Sequence, residues 1–144
     1  MRIVTLIIVH CSAVRPDQTS SAAQIDTWHR QQGWKCGIGY HYVIRRNGER
    51  EPGRPEWMVG AHCKEHNAHS IGVCYEGGLD IRGRPADTRT EVQRQALRQL
   101  LEELHNRYPR ALIVGHHDLN AQKACPCFDA AHEYRDLQPS VNVT

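Results

Sequence analysis

Between Arg2 and His10 the chain reads Ile-Val-Thr-Leu-Ile-Ile-Val, a run of β-branched residues and leucine with no polar–apolar alternation. A strand with one face in water alternates, whereas a continuous apolar run is the pattern of a strand covered on both faces. Residues 3–9 therefore predict the central strand of a layered α/β domain. Arg2, this run and the following Cys-Ser-Ala also have the outline of a secretory signal. However, seven residues sit at the floor of a signal core and the run ends in His10, so the strand reading is preferred.

The rest of the chain fits that layered reading. Strands are predicted in YHYVIRR (Tyr40 to Arg46), SIGVCYE (Ser70 to Glu76) and ALIVGH (Ala111 to His116), with Asn47-Gly48 turning the first of these into a short edge strand. Ser21 and Gln24 have capping-box spacing, as do Thr90 and Gln93, and each pair opens a helix. In the first helix Ile25, Trp28 and His29 share a face and Gly33 marks the end. In the second, Val92, Ala96, Leu97, Leu100, Leu101, Leu104 and Tyr108 form an apolar stripe that Pro109 stops. A third, short helix is expected around Phe128 to Arg135. The fold class is α/β: a single domain over residues 1–137, a mixed central sheet with helices packed on both faces, and a disordered tail over 138–144.

Composition narrows the function. With 18 Lys+Arg against 16 Asp+Glu the net charge is +2, and no basic block or aromatic-interleaved basic stripe points to nucleic acid. No apolar run approaches the roughly 20 residues of a membrane span. A chain of 144 residues buries roughly two-thirds of its unfolded surface and needs no covalent staple, so its six cysteines are expected to be reduced.

His10 closes the first predicted strand, His116 closes the last, and Cys125 follows a short loop later in IVGHHDLNAQKACPC. Open α/β sheets build their sites at strand ends, and catalytic zinc takes three ligands from imidazole, thiolate or carboxylate. Spacing alone also allows hydrogen-bonded core histidines. No two-histidine helical zinc motif occurs in KEHNAH or HEYRDL, and Cys-Pro-Cys is not the usual structural-zinc spacing.

Taken in order, VHCSA, WHRQQGW, GYHYVIRRNGE, VGAHCKEHNAHSIGVCYEGG, GHHD and KACPCFD span Val9 to about Asp129. The series resembles the zinc-dependent N-acetylmuramoyl-L-alanine amidases of the phage lysozyme type, which are related to peptidoglycan recognition proteins. The resemblance implies one Zn2+ per chain bound by His10, His116 and Cys125. It implies catalytic roles for Tyr40 and Lys123, and substrate-binding roles for His62 and Asn67 in a groove that Trp34, Trp57 and Arg54 could shape. Alternation along a strand keeps His116 and His117 from sharing one metal, and the resemblance selects His116. It also selects Cys125 and leaves Cys127 in reserve.

The implied reaction is hydrolysis of the amide joining N-acetylmuramic acid to L-alanine, on a peptidoglycan or muropeptide substrate, by a monomer without nucleic-acid or membrane partners. The expected setting is cytoplasmic synthesis without a signal peptide, followed by action on the cell wall after holin-type or other release. Two alternatives belong to another class: a peptidoglycan-binding module that does not cut, and a polymerase-inhibiting relative. The latter uses an N-terminal extension that is not expected ahead of this first strand.

Overall fold

A computed structural model describes residues 2–139. The apolar run becomes β1 (Leu6–Cys11), flanked in parallel by β4 (Ser70–Tyr75) on one side and β5 (Leu112–Gly115) on the other. Beyond β4 lie β2 (Tyr42–Ile44), also parallel, and the antiparallel edge strand β3 (Arg50–Pro52), which gives the order β3-β2-β4-β1-β5. Ile7 pairs with Ile71 and Ile113, and Ile7, Ile8 and Val9 have no exposed surface. The central position read from residues 3–9 is correct, but the strand starts later, at Leu6, and runs on to Cys11, leaving Ile3 exposed; the mixed sheet follows from the single hairpin at Asn47-Gly48, where Gly48 has a φ of 87°.

Helices cover both faces. On one side α2 (Glu91–Arg107) lays Leu97, Leu100, Leu101 and Leu104 against Ile7, Val9, Ile71, Val73 and Ile113. Each leucine buried this way contributes about 2 kcal/mol. On the other, α1 (Ala22–Gln31) packs Ile25 against Ile38 and Val43. Both expected capping boxes are present, with Ser21 accepting from Gln24 N and Thr90 from Gln93 N.

The apolar stripe of α2 starts one turn later than the pattern suggested. Val92 is 50% exposed, and Gln93 is buried instead. The Gln93 amide closes the capping box and also donates to Ile44 O and Glu76 O, tying the helix start to the ends of β2 and β4. The third helix is shorter than expected: α4 (Ala130–Glu133) passes into a 3-10 turn over Arg135–Leu137. Gln138, placed in the tail by composition, pairs with both Ile113 N and Ile113 O and fastens the edge strand β5. Residues 140–144 of the expected tail lie outside the described residues.

Candidate active site

Residue parity along β1 decides which layer holds the site. Ile7, Val9 and Cys11 face α2, so Ile8 and His10 face the α1 layer, as do Gly72 and Cys74 of β4. His10 sits at the C-terminal end of β1 and is 1% exposed. Burial, then the neighbouring His62 and His116, hold its pKa well below the usual imidazole value, so it is neutral at pH 7.

His116 is not the last residue of a strand. Chain pairing ends at Gly115, and His116 opens a one-turn helix, α3 (His116–Leu119), because Asp118 reaches back to accept from Gly115 N at 2.8 Å. The expectation that strand alternation separates His116 from His117 is therefore corrected. The separation is helical, about 100° per residue, and sends His117 toward Asp118 and Ala124 O. Burial, then the charge of Lys123, lower the His116 pKa.

Cys125 lies on the loop after α3, which is a series of turns rather than an extended segment. His117 N donates to Cys125 O at 2.8 Å, Tyr75 Oη donates to Pro126 O at 2.6 Å, and Cys11 N donates to Cys125 Sγ at 3.1 Å. Gly115 is required beneath this loop, since a Cβ there would stand 2.7 Å from Pro126 Cδ. The outcome is that one potential ligand atom each from His10, His116 and Cys125 lies within 4.8 Å of the others. Cys127 is outside this group; its Sγ is 3.9 Å from Cys11 Sγ and donates to Gly78 O.

The donor set can be tested against its chemistry. Zinc bonds of about 2.0–2.1 Å to imidazole and 2.3 Å to thiolate ask for donor atoms a little closer together than these, a difference that side-chain rotation can supply. Two neutral imidazoles and a thiol fit a metal centre that keeps one position for water.

A cleft of about 700 Å³ opens beside the trio, lined among others by His116, Tyr40, Lys123, His62 and Asn67. The Tyr40 ring stands 5.0 Å from that of His10, and burial, with the thiols of Cys74, Cys125 and Cys11 adding to it, pushes the phenol pKa well above its usual value. Tyr40 is consequently a neutral hydroxyl at pH 7, suited to donating a hydrogen bond. Asn67 accepts from His62 N and Cys63 N at 2.8 and 2.9 Å, so its carbonyl is spent inside the loop while its amide nitrogen remains. Trp34 lines the cleft, whereas Arg54 donates to Ile38 O and Val59 O as a strut between loops. Trp57 is 69% exposed and is not part of the lining.

One lining residue was read only as a helix-face residue. His29, in the last turn of α1, packs at a tilt against Trp34 with ring centroids 4.3 Å apart and accepts from Gly39 N through Nδ1. That bond leaves the proton on Nε2, a second neutral donor for the cleft. Its position directly before the turn Gln32–Trp34 was the available signal.

The chain is similar to proteins of one named family. The family model Amidase_2, N-acetylmuramoyl-L-alanine amidase, matches residues 1–128. The endolysin of Klebsiella phage KP32 is 47% identical over 123 residues, covering 85% of this chain and 80% of that protein. The endolysin of Escherichia phage T7 is 46% identical with the same coverage. Among solved structures, the N-acetylmuramoyl-L-alanine amidase LysC from Clostridium intestinale superposes with a TM-score of 0.77 at 31% identity, over 92% of this chain and 83% of that one.

Proposed function

The chain belongs to the N-acetylmuramoyl-L-alanine amidase family, and from that premise we propose a zinc-dependent enzyme that cleaves the amide between N-acetylmuramic acid and L-alanine in peptidoglycan. The observation that carries the zinc reading is the His10, His116 and Cys125 donor set gathered within 4.8 Å beside a cleft that also holds Tyr40 and Lys123. These three side chains would hold the ion, Cys125 as thiolate.

When bound, zinc supplies an activated water and a Lewis acid for the scissile carbonyl. A thiolate ligand reduces the charge of the centre to about +1, which makes further donors useful. Lys123, on the cleft wall, would answer that need as a positively charged donor to the oxyanion, and Tyr40 as a neutral hydroxyl. Because the Tyr40 phenol is raised by burial, it acts as a hydrogen-bond donor and not as a base. The cleft, whose lining includes Trp34 and Asn67, receives the muropeptide. The protein works as a monomer on the cell wall after release from the cytoplasm.

Purified protein is expected to hold about one zinc per chain. His10→Ala and Cys125→Ser are each expected to lose zinc and muropeptide hydrolysis together, measured by elemental analysis and product chromatography on the same samples. Full zinc retention by either variant refutes the ligand assignment.

A further inference from the structure

His62 lines the cleft, yet neither of its ring nitrogens is free to meet a substrate. Nδ1 stands 2.8 Å from His10 Nε2, and Nε2 stands 3.1 Å from the hydroxyl of Ser70, which is fully buried. We infer that His62 is a positioning residue for the zinc ligand His10, supported by Ser70 and Asn67, and not a substrate-binding residue. The inference rests on the zinc reading above and goes beyond it, since it assigns a role to a residue that does not itself bind metal.

Proton counting gives the chain a direction. A neutral imidazole carries one donor and one acceptor. With Nε2 of His10 occupied by His62, the lone pair left for an ion is on Nδ1, so the His10 proton must reside on Nε2. It is donated to His62 Nδ1, the His62 proton then lies on Nε2, and Ser70 Oγ accepts it. In the reverse arrangement His10 would carry its proton on Nδ1 and could not ligate through that atom. Metal-binding histidines generally donate their second N–H in this way, and the partner fixes both tautomer and ring orientation. Here the partner is a neutral imidazole backed by a hydroxyl, so His10 is oriented without an added negative charge.

The surroundings of His62 are shaped for holding a ring still. A Cβ at Gly72 would stand 2.6 Å from His62 Cγ and Cδ2, and one at Gly60 would stand 2.7 Å from Cδ2, so only glycine at these two positions admits the imidazole. The rings of His10 and His62 meet edge to face at 89°. The loop end of the residue is fixed as well, because Asn67 Oδ1 accepts from both His62 N and Cys63 N. A side chain that must adapt to a passing substrate has no use for such confinement.

The test measures zinc affinity by chelator competition, and KM for a muropeptide at saturating zinc, in the full-length protein. His62→Ala and the ring-preserving His62→Phe are expected to bind zinc about 10- to 100-fold more weakly, with KM near that of the wild type once zinc saturates. His62→Asn, whose Oδ1 falls close to the place of Nδ1, is expected to recover most of the affinity. Wild-type zinc affinity in His62→Phe together with a raised KM overturns the inference and returns His62 to substrate binding. Should both replacements fail to fold, ¹⁵N shifts of the zinc-loaded wild type decide: protons on Nε2 of His10 and His62 are expected, and a proton on His62 Nδ1 overturns it. A wild-type protein that binds no zinc overturns the zinc reading first, and this inference with it.

Discussion

Gly72→Ala puts the packing around His62 to a quantitative test. Gly72 lies in the middle of β4, with its N–H donated to His41 Nδ1 and its carbonyl accepting from His41 N. It faces Ile8 of β1 in the parallel register. Its backbone has none of the positive φ that would itself demand glycine. On conformational grounds alone, alanine there would stabilise by roughly 0.4–1 kcal/mol through the unfolded chain. The added Cβ, however, would lie 2.6 Å from two ring carbons of His62 and 2.8 Å from Nδ1. The strand is held by neighbours on both sides, so the ring must retreat, and any retreat stretches its bonds to His10 and Ser70. Overpacking costs about 1–3 kcal/mol and each weakened hydrogen bond about 1 kcal/mol, which outweighs the entropy gain. The net expectation is a loss of about 2–4.5 kcal/mol, or roughly 6–18 °C in Tm for a domain of this size. Urea unfolding of the zinc-free variant gives the first quantity, and chelator competition gives the accompanying loss of zinc affinity. A variant as stable as the wild type with unchanged zinc affinity would show that the socket around His62 is loose, and would refute the reasoning.

Lys123→Ala and Tyr40→Phe are expected to keep zinc while losing about 10²- to 10³-fold in turnover, as removal of one oxyanion donor does; near-normal hydrolysis removes the residue from the mechanism, and lost zinc makes its role structural. Stability should fall with acid between about pH 6.5 and 4, because burial, with Arg2 and Arg54 adding to it, outweighs the bond to Met58 O and lowers the His41 pKa to about 4. The unfolded chain takes up that proton first, so the contribution is complete above about pH 6.5, is lost as pH falls, and amounts to about 3 kcal/mol at most. Urea midpoints across this window should slope less in His41→Asn, and an unchanged slope would show that another group carries the effect. All six cysteines are free thiols; the hydrogen bond with Cys125, then burial, raises the Cys11 pKa to about 12, and the hydrogen bond with Cys11, then burial, raises that of Cys127. Native mass should therefore not change on reduction, and a thiol reagent should label the exposed Cys36 first; early loss of Cys11 or Cys127 would contradict this.

Local rules made much of the fold legible. The unbroken run at residues 3–9 marked the central strand, and both capping boxes placed helix starts to the residue, because each signal is complete within a few positions. Misreadings arose where a distant partner decides. Gln93 is buried since Ile44 O and Glu76 O await its amide, and Val92 beside it faces water. Gln138 reads as tail until Ile113 accepts it. His116 was legible in principle, for Asp118 three residues after Gly115 is a helix-start signal that strand periodicity obscured. At the site, the resemblance named His10, His116 and Cys125, which spacing alone left open. The partners of His62 could not be read at all, because its contacts span 8 and 52 positions.

The three proposed ligands differ in how the chain holds them, and that difference explains why so much hydrogen bonding gathers at the last. His10 inherits its place from the central strand, paired on both sides, and needs only its ring fixed, which His62 does. His116 is one residue beyond an edge strand and is set by a single helical turn locked through Asp118. Cys125 has no regular element of its own, so Tyr75, His117 and Cys11 each contribute one bond to its loop. Two of those anchors stand on central strands and the third on α3, so the loop takes its position from the same framework as the histidines. The donor atoms are thereby close together before any ion arrives, and binding energy is spared the ordering of an irregular segment. A rigid sheet end and a tethered loop together bring His10, His116 and Cys125 beside one cleft with Tyr40 and Lys123, the set on which the proposed amide hydrolysis draws.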